Sequence, residues 1–271
     1  MSGAAEPYGE FVQLRVERRG DGVVLVMLDA PERRNAMSEA MTESWGRLIA
    51  ALRADRELRC VVVTGAGGAF CSGGDVGWIG STPDATVDAL RERMLAFYRT
   101  WLAVAELEVP TVAAIGGAAI GAGLALALAC DLRYAAEDAA LAAPFTALGM
   151  HPGMATSWLL PQAVGLPVAR ELLLTGRTVS GAEAVGLGLV NQVFPRERLL
   201  DEALAVAARV AAAAPVATRL TKVALAGGGH ASYAAALQWE ALAQPVTMAS
   251  DDLQEGLRAA QEKRTPRFTG R

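Results

Sequence analysis

Apolar and polar residues alternate over residues 12–18, and an unbroken apolar run follows at 23–28. Gly20-Asp21-Gly22 lies between them, a pattern that predicts a β-hairpin. Ser38 sits where it can cap a helix running to about residue 53. Residues 60–64 (CVVVT) and 111–115 (TVAAI) are short apolar runs, the first rich in β-branched residues, of the kind a sheet covered on both faces requires. Between them, residues 84–105 carry helical periodicity, with Leu90, Met94, Phe97, Trp101 and Leu102 on or near one face. A buried helix over 121–130, a strand over 132–135, a Ser180/Glu183 capping box before a short helix and a last strand over 191–194 follow. Beyond Pro195 the pattern is helical throughout: 199–213, 216–225, 231–243 and 251–262. The pattern predicts an α/β fold, with strands paired and interleaved with helices in the first two-thirds and helices alone in the last third.

The two strand-like runs share a feature. Each leads into a glycine-rich turn and then a helix: AFCSGGD at 69–75 and IGGAAIGAGLALALACD at 115–131. Glycine permits backbone conformations and close approaches closed to other residues. Two such turns can aim backbone N–H groups at one oxygen atom. That arrangement is an oxyanion hole, and it stabilises negative charge developing on a carbonyl such as that of a thioester. GAGLAL at 121–126 does not read as a dinucleotide-binding turn, because the third glycine and the acidic partner about 20 residues on are missing.

Composition narrows the class. The chain has 271 residues, 52% hydrophobic and 20% charged, enough to bury a large core. A net charge of −4, with no basic stripe carrying aromatics, argues against a nucleic-acid partner. The three cysteines, Cys60, Cys71 and Cys130, lie in or beside apolar sequence, and this odd set points to reduced thiols and a cytoplasmic protein. The first residues, MSGAAEPYGEF, show no basic segment followed by an apolar one, so no signal peptide is expected. Residues 112–130 are uncharged and close to bilayer-spanning length, but they are mostly Gly and Ala and have no Lys/Arg asymmetry at their flanks. A buried strand, turn and core helix fits them better than a membrane span.

Six segments in order carry a resemblance to the enoyl-CoA hydratase/isomerase (crotonase) superfamily. They are DAPERRNAMS (29–38), VVVTGAGGAFCSGGD (61–75), the glycine-rich segment ending in ACD (130–131 for CD), LGMHPG (148–153), LLLTGRTVSGAEAVGLGLVNQVFP (172–195) and EKRTPRF (262–268). The resemblance implies a spiral of ββα units over residues 1–198, with a helical region over 199–271 that packs subunits into a homotrimer or hexamer. It implies an acyl-CoA thioester as the ligand, with coenzyme A entering as part of the substrate and no separate cofactor or metal. By position, the oxyanion N–H groups belong to Gly74 and Ala122. The Ser72 region meets the adenine, Arg33 or Arg34 lies near ribose and phosphates, and Lys263 or Arg264 reaches the nucleotide from a neighbouring subunit. Ala36, Asp75, Val76, Ala125, Pro144, Phe145, Leu148 and Gly153 complete the implied substrate contacts.

The same alignment of motifs exposes an absence. Where a hydratase of that family carries two glutamates, this chain has Ala125 and Phe145. General acid–base chemistry needs a titratable group within hydrogen-bond reach of the reacting carbon or of water, and neither residue supplies one. Thr146 adjoins Phe145 but is expected to point away on an extended segment. His151 and Asp75 are the remaining candidates for proton transfer. The plain alternatives are a His151 packed under its loop on a carbonyl and an Asp75 that holds the oxyanion turn. Cys71 reads as a small core residue rather than a nucleophile, and Tyr98, Trp78 and Trp158 as candidate walls of an acyl tunnel. His230 is expected at the surface. Two readings stay open: an acyl-CoA enzyme working through a CoA enolate (lyase or isomerase type), with weak simple hydration, or a non-catalytic acyl-CoA-binding protein.

Overall fold

The computed structural model describes residues 8–82, 84–226 and 232–271, without the side chains of residues 76 and 79. The hairpin forms as its pattern requires: β1 (Leu14–Arg18) pairs antiparallel with β2 (Val23–Leu28). Ser38 Oγ accepts the Met41 N–H at the start of α1 (Glu39–Ala54). The chain then alternates between two sheets. β3 (Cys60–Gly65) is followed by β4 (Ala69–Cys71), the four-residue α2 (Val76–Ile79) and α3 (Val87–Leu102). β5 (Thr111–Ile115) leads to β6 (Ala118–Ile120) and α4 (Ala122–Ala129). β7 (Leu132–Ala136) leads to β8 (Ala140–Ala142) and α5 (Thr156–Thr175), and β9 (Val179–Ser180), α6 (Gly181–Gly186) and β10 (Gln192–Phe194) close the core.

Each of these repeats places one strand in each sheet. The order in the six-stranded sheet is β1-β2-β3-β5-β7-β10, parallel throughout except for the hairpin. The four-stranded sheet runs β4-β6-β8-β9. The result is the expected spiral of ββα units. β5 is buried at every position and α4 on every side, which is why their sequences are almost free of polar residues. Residues 112–130, the stretch of near-spanning length, divide into these elements, and no helix among the described residues is long and apolar enough to cross a membrane. α1 packs against α3 through stacked Trp45 and Trp101 rings 4.9 Å apart.

Four elements follow, α7 (Arg196–Ala211), α8 (Pro215–Leu225), α9 (Tyr233–Met248) and α10 (Asp251–Glu262). α7 turns Leu199, Ala203, Ala207 and Ala211 inward and packs on β3, β5 and β7. The expected division at 198/199 therefore falls inside a helix that belongs to the sheet packing. The helices beyond it bury few residues, and α9 has no buried residue.

Several local expectations need correction. α5 carries Pro161 and Pro167, which hide it from a periodicity reading, and its backbone leaves helical geometry at Gly165 (φ 75°, ψ 159°). The two- and three-residue strands of the second sheet are too short to show alternation. Thr146 is not on an extended segment: it opens a 3₁₀ turn, Thr146–Leu148, and its hydroxyl donates to the Leu173 carbonyl. At the Ser180 cap, Oγ accepts the Glu183 N–H, while the Glu183 carboxylate pairs with Arg177. His230 lies outside the described residues.

Candidate active site

The two glycine-rich turns meet. β4 ends at Cys71, and the turn after it passes through Gly73 at φ +99°. A Cβ on Gly73 would stand 2.7 Å from the Ile120 carbonyl oxygen and 3.4 Å from the Ala122 nitrogen, so only glycine allows this approach. On the other side, β6 ends at Ile120 and Gly121 turns the chain with φ 56° and ψ −115°. Ala122 is the first residue of α4, so its N–H lies outside the intrahelical ladder. Gly74 forms an isolated parallel bridge with Met37, in which Met37 N–H donates to Gly73 O (2.8 Å) and Asp75 N–H to Met37 O (3.4 Å). In such a bridge the N–H of the intervening residue points to the opposite side. Gly74 and Ala122 thus present backbone donors from neighbouring turns.

Residues 30–37 hold the first turn in place. Asp75 pairs with the Arg33 guanidinium and accepts the Trp78 N–H at 2.9 Å, which anchors the start of α2. Ser72 N–H donates to Arg34 O (3.0 Å) and Ser72 Oγ to Arg33 O (3.3 Å). Beneath them is Asn35, fully buried, whose Oδ1 accepts the Ala30 N–H (2.9 Å). Its amide donates to the carbonyls of Ala66 (2.9 Å) and Ala69 (2.8 Å). Sequence reasoning passed over Asn35. The usable signal was an amide leading straight into the apolar Ala36-Met37, at a position (φ 56°) that Asn tolerates better than most residues.

A cavity of about 270 Å³ opens onto the two turns, lined by Ser72, Gly73, Gly74, Trp78, Met94, Phe97, Tyr98, Ile120, Gly121, Ala122, Pro144, Phe145, Leu148, Met150, His151, Gly153 and Met154. No carboxylate is among these residues. The fold therefore brings Ser72, Gly74, Ala122, Pro144, Phe145, Leu148, His151 and Gly153 to one cavity. Ala36, Arg33, Arg34 and Asp75 lie at the adjoining clamp, not in its wall, and Val76 begins α2. Ala125 is fully buried one turn into α4 and is not among the residues lining the cavity. Lys263 caps the C-terminus of α10 and is not among the lining residues, and Arg264 is held by Glu255 and Glu262. Trp158 is 61% exposed and is no part of the cavity either.

Phe145 lies beside the second turn, its ring edge 3.7 Å from where a Gly121 Cβ would be. Tyr98 packs its hydroxyl on Gly153, where an added Cβ would meet it at 2.5 Å. Burial raises the Tyr98 phenol pKa, and a backbone hydrogen bond with Met154 offsets part of the rise. His151 is exposed at the rim with Nδ1 2.8 Å from the Pro152 carbonyl oxygen, so it meets a carbonyl without being packed under the loop. Burial pushes the Cys71 thiol up to about 12, which removes it as a nucleophile. No cluster of three or more His, Cys, Asp or Glu among the described residues could hold a metal ion.

The sequence profile of the enoyl-CoA hydratase/isomerase family matches residues 18–271. The human enoyl-CoA hydratase domain-containing protein 2, named as mitochondrial, is 35% identical over 97% of this chain and 91% of its own length. Among solved structures, an enoyl-CoA hydratase from Bacillus anthracis is 34% identical and superposes with a TM-score of 0.90 over 96% of this chain and 100% of that one. An enoyl-CoA hydratase from Mycobacterium smegmatis is 31% identical, with a TM-score of 0.88 over 95% of this chain and 99% of that one.

Proposed function

The chain belongs to the enoyl-CoA hydratase/isomerase family, and we propose that it binds an acyl-CoA thioester with the carbonyl oxygen between the N–H groups of Gly74 and Ala122. The observation that carries this reading is the convergence of the two turns at an apolar cavity. Backbone donors survive the replacement of any side chain. They polarise the thioester carbonyl and, if a proton leaves the α-carbon, hold the enolate oxygen in a site where charge is poorly screened. The reaction class is then lyase- or isomerase-type chemistry through a CoA enolate. Asp75 is occupied by Arg33 and the Trp78 N–H, which leaves His151 as the first candidate to carry the proton.

Simple hydration should be slow. A positioned acid or base typically contributes about 10²–10⁴-fold, and Ala125 and Phe145 offer none. A second reading, a non-catalytic acyl-CoA-binding protein, is favoured by the lack of any carboxylate in the cavity wall. One experiment separates them. Calorimetry should detect butyryl- or octanoyl-CoA, and Gly74→Pro, which removes one donor, should abolish binding. Loss of the α-proton signal of the bound thioester in deuterated water, suppressed in His151→Ala, supports the enzyme. Binding without exchange supports the binder, and no binding of any thioester rejects both.

Assembly as a homotrimer or hexamer is part of this proposal. α9 exposes Tyr233, Leu237, Leu242, Val246 and Met248, an apolar load that a partner subunit would cover. A monomeric mass by light scattering would reject it. The three unpaired, buried cysteines support a reducing compartment, which we take to be the cytoplasm.

A further inference from the structure

We propose that Trp78, braced by Arg93, is the end wall that sets the size of the acyl group, and that the ligand is the CoA thioester of an uncharged, medium-sized acyl chain. This rests on the acyl-CoA reading above and names the substrate class of the same cavity. Trp78 stands on α2, directly after the oxyanion turn, with its N–H tied to Asp75. Its ring has two close neighbours. The Phe97 ring lies 4.9 Å away, tilted by 33°, and the Arg93 guanidinium carbon lies over the ring 3.9 Å from its centroid. Arg93 also donates to the Trp78 carbonyl (2.5 Å), Ser81 Oγ (3.0 Å) and Thr82 Oγ1 (2.9 Å). The cation therefore grips both the ring and the segment carrying it, and Trp78 cannot swing aside without losing these contacts together.

The cavity is partly open to solvent, and its volume bounds the size of the group it takes. At roughly 30 Å³ per water-sized group, about the size of one methylene, a cavity of about 270 Å³ has room for about nine of them. With the thioester carbonyl seated at Gly74 and Ala122, an acyl chain of about eight carbons fills the rest, as does a ring on a short spacer. Met94, Phe97, Phe145, Met150 and Met154 line it, with no Lys or Arg side chain to receive a terminal carboxylate. Thioether and aromatic surfaces suit an apolar chain and adapt to its shape. A longer chain has to displace Trp78 and, with it, the Arg93 bonds.

The test is calorimetric titration with acetyl-, butyryl-, hexanoyl-, octanoyl-, dodecanoyl- and hexadecanoyl-CoA, with free CoA as reference. The protein is the wild type, Trp78→Ala, Trp78→Leu, Trp78→Phe and Arg93→Gln. Each buried methylene adds about fourfold in affinity, so the wild type should tighten up to hexanoyl- or octanoyl-CoA and then lose at least about tenfold by dodecanoyl-CoA. Trp78→Ala should move the optimum to twelve carbons or more, with Trp78→Leu giving the same shift if the alanine variant does not fold. Trp78→Phe should restore the wild-type cut-off, and Arg93→Gln should blur it. An affinity that climbs steadily to hexadecanoyl-CoA, a wild-type optimum at four carbons or fewer, or an unchanged profile in all Trp78 variants overturns the proposal while the acyl-CoA reading stands. No binding of any thioester overturns both.

Discussion

Replacing Gly73 by alanine tests the closeness of the two turns, and Gly149→Ala supplies the control. Both glycines have positive φ, +99° and +72°, so both variants pay a backbone cost of about 1–2 kcal/mol. They differ in what the new methyl group meets. At Gly149 nothing lies within 4 Å, whereas at Gly73 the Ile120 carbonyl oxygen would be 2.7 Å away. That carbonyl would have to retreat by about 0.7 Å to reach ordinary contact, an overpacking cost of about 1–3 kcal/mol. Because a chain of this size loses about 2–4 °C of Tm per kcal/mol, Gly149→Ala should fall by about 2–8 °C and Gly73→Ala by about 4–20 °C, the clash alone adding about 2–12 °C. The retreat also pulls the Ile120–Ala122 turn from Gly74. One weakened hydrogen bond corresponds to as much as about tenfold in affinity, so octanoyl-CoA should lose about that while free CoA binds as before. Scanning calorimetry and titration read the two effects. Equal Tm losses within about 2 °C, with thioester binding intact in both variants, would refute the close approach and the oxyanion geometry built on it.

Three further outcomes follow from groups outside the cavity wall. Asn35→Ala leaves the Ala30 N–H and the Ala66 and Ala69 carbonyls without their partner, which should cost about 3 kcal/mol or more by urea unfolding. Lys222 is buried with its ammonium 2.8 Å from Asp131 and 2.9 Å from the Val109 carbonyl oxygen. Lys222→Met should cost about 2 kcal/mol, less than a fully dry pair, because Asp131 is one-third exposed and keeps its bonds from Thr111; a lower urea midpoint at constant m-value is the readout. Burial raises Cys60, Cys71 and Cys130 to about 12, so the native thiols should resist a disulfide reagent at pH 8 and all three should react in denaturant. The unfolded thiols ionise near pH 8.5–9 and the folded ones three units higher or so, so this stability is fully present below about pH 9 and is lost as pH rises toward 12. A circular-dichroism titration unchanged to pH 12 would contradict that direction.

Local pattern carried the hairpin, the Ser38 cap, β3, β5, β7 and the α4 helix to within a residue or two, because in each the side-chain period or the capping residue acts within a few positions of itself. It also marked both glycine-rich turns, since a glycine cluster after a buried strand is a local statement about backbone freedom. What lay beyond it were contacts between distant segments. β4, β6 and β8 exist because the spiral stacks them, not because three residues prefer a strand. α5 carries two prolines, its backbone breaking from helical geometry at the exposed Gly165, while Leu160, Ala169 and Leu172 on either side stay buried in the core. Ala125 is fully buried in α4, while Asn35, Trp78 and Arg93 gained their roles from partners up to 35 residues away. Chain order specifies which groups are available. Only the closing of the two sheets brings the Ile120 carbonyl against Gly73, and that long-range approach turns two ordinary glycine turns into one pair of aimed donors.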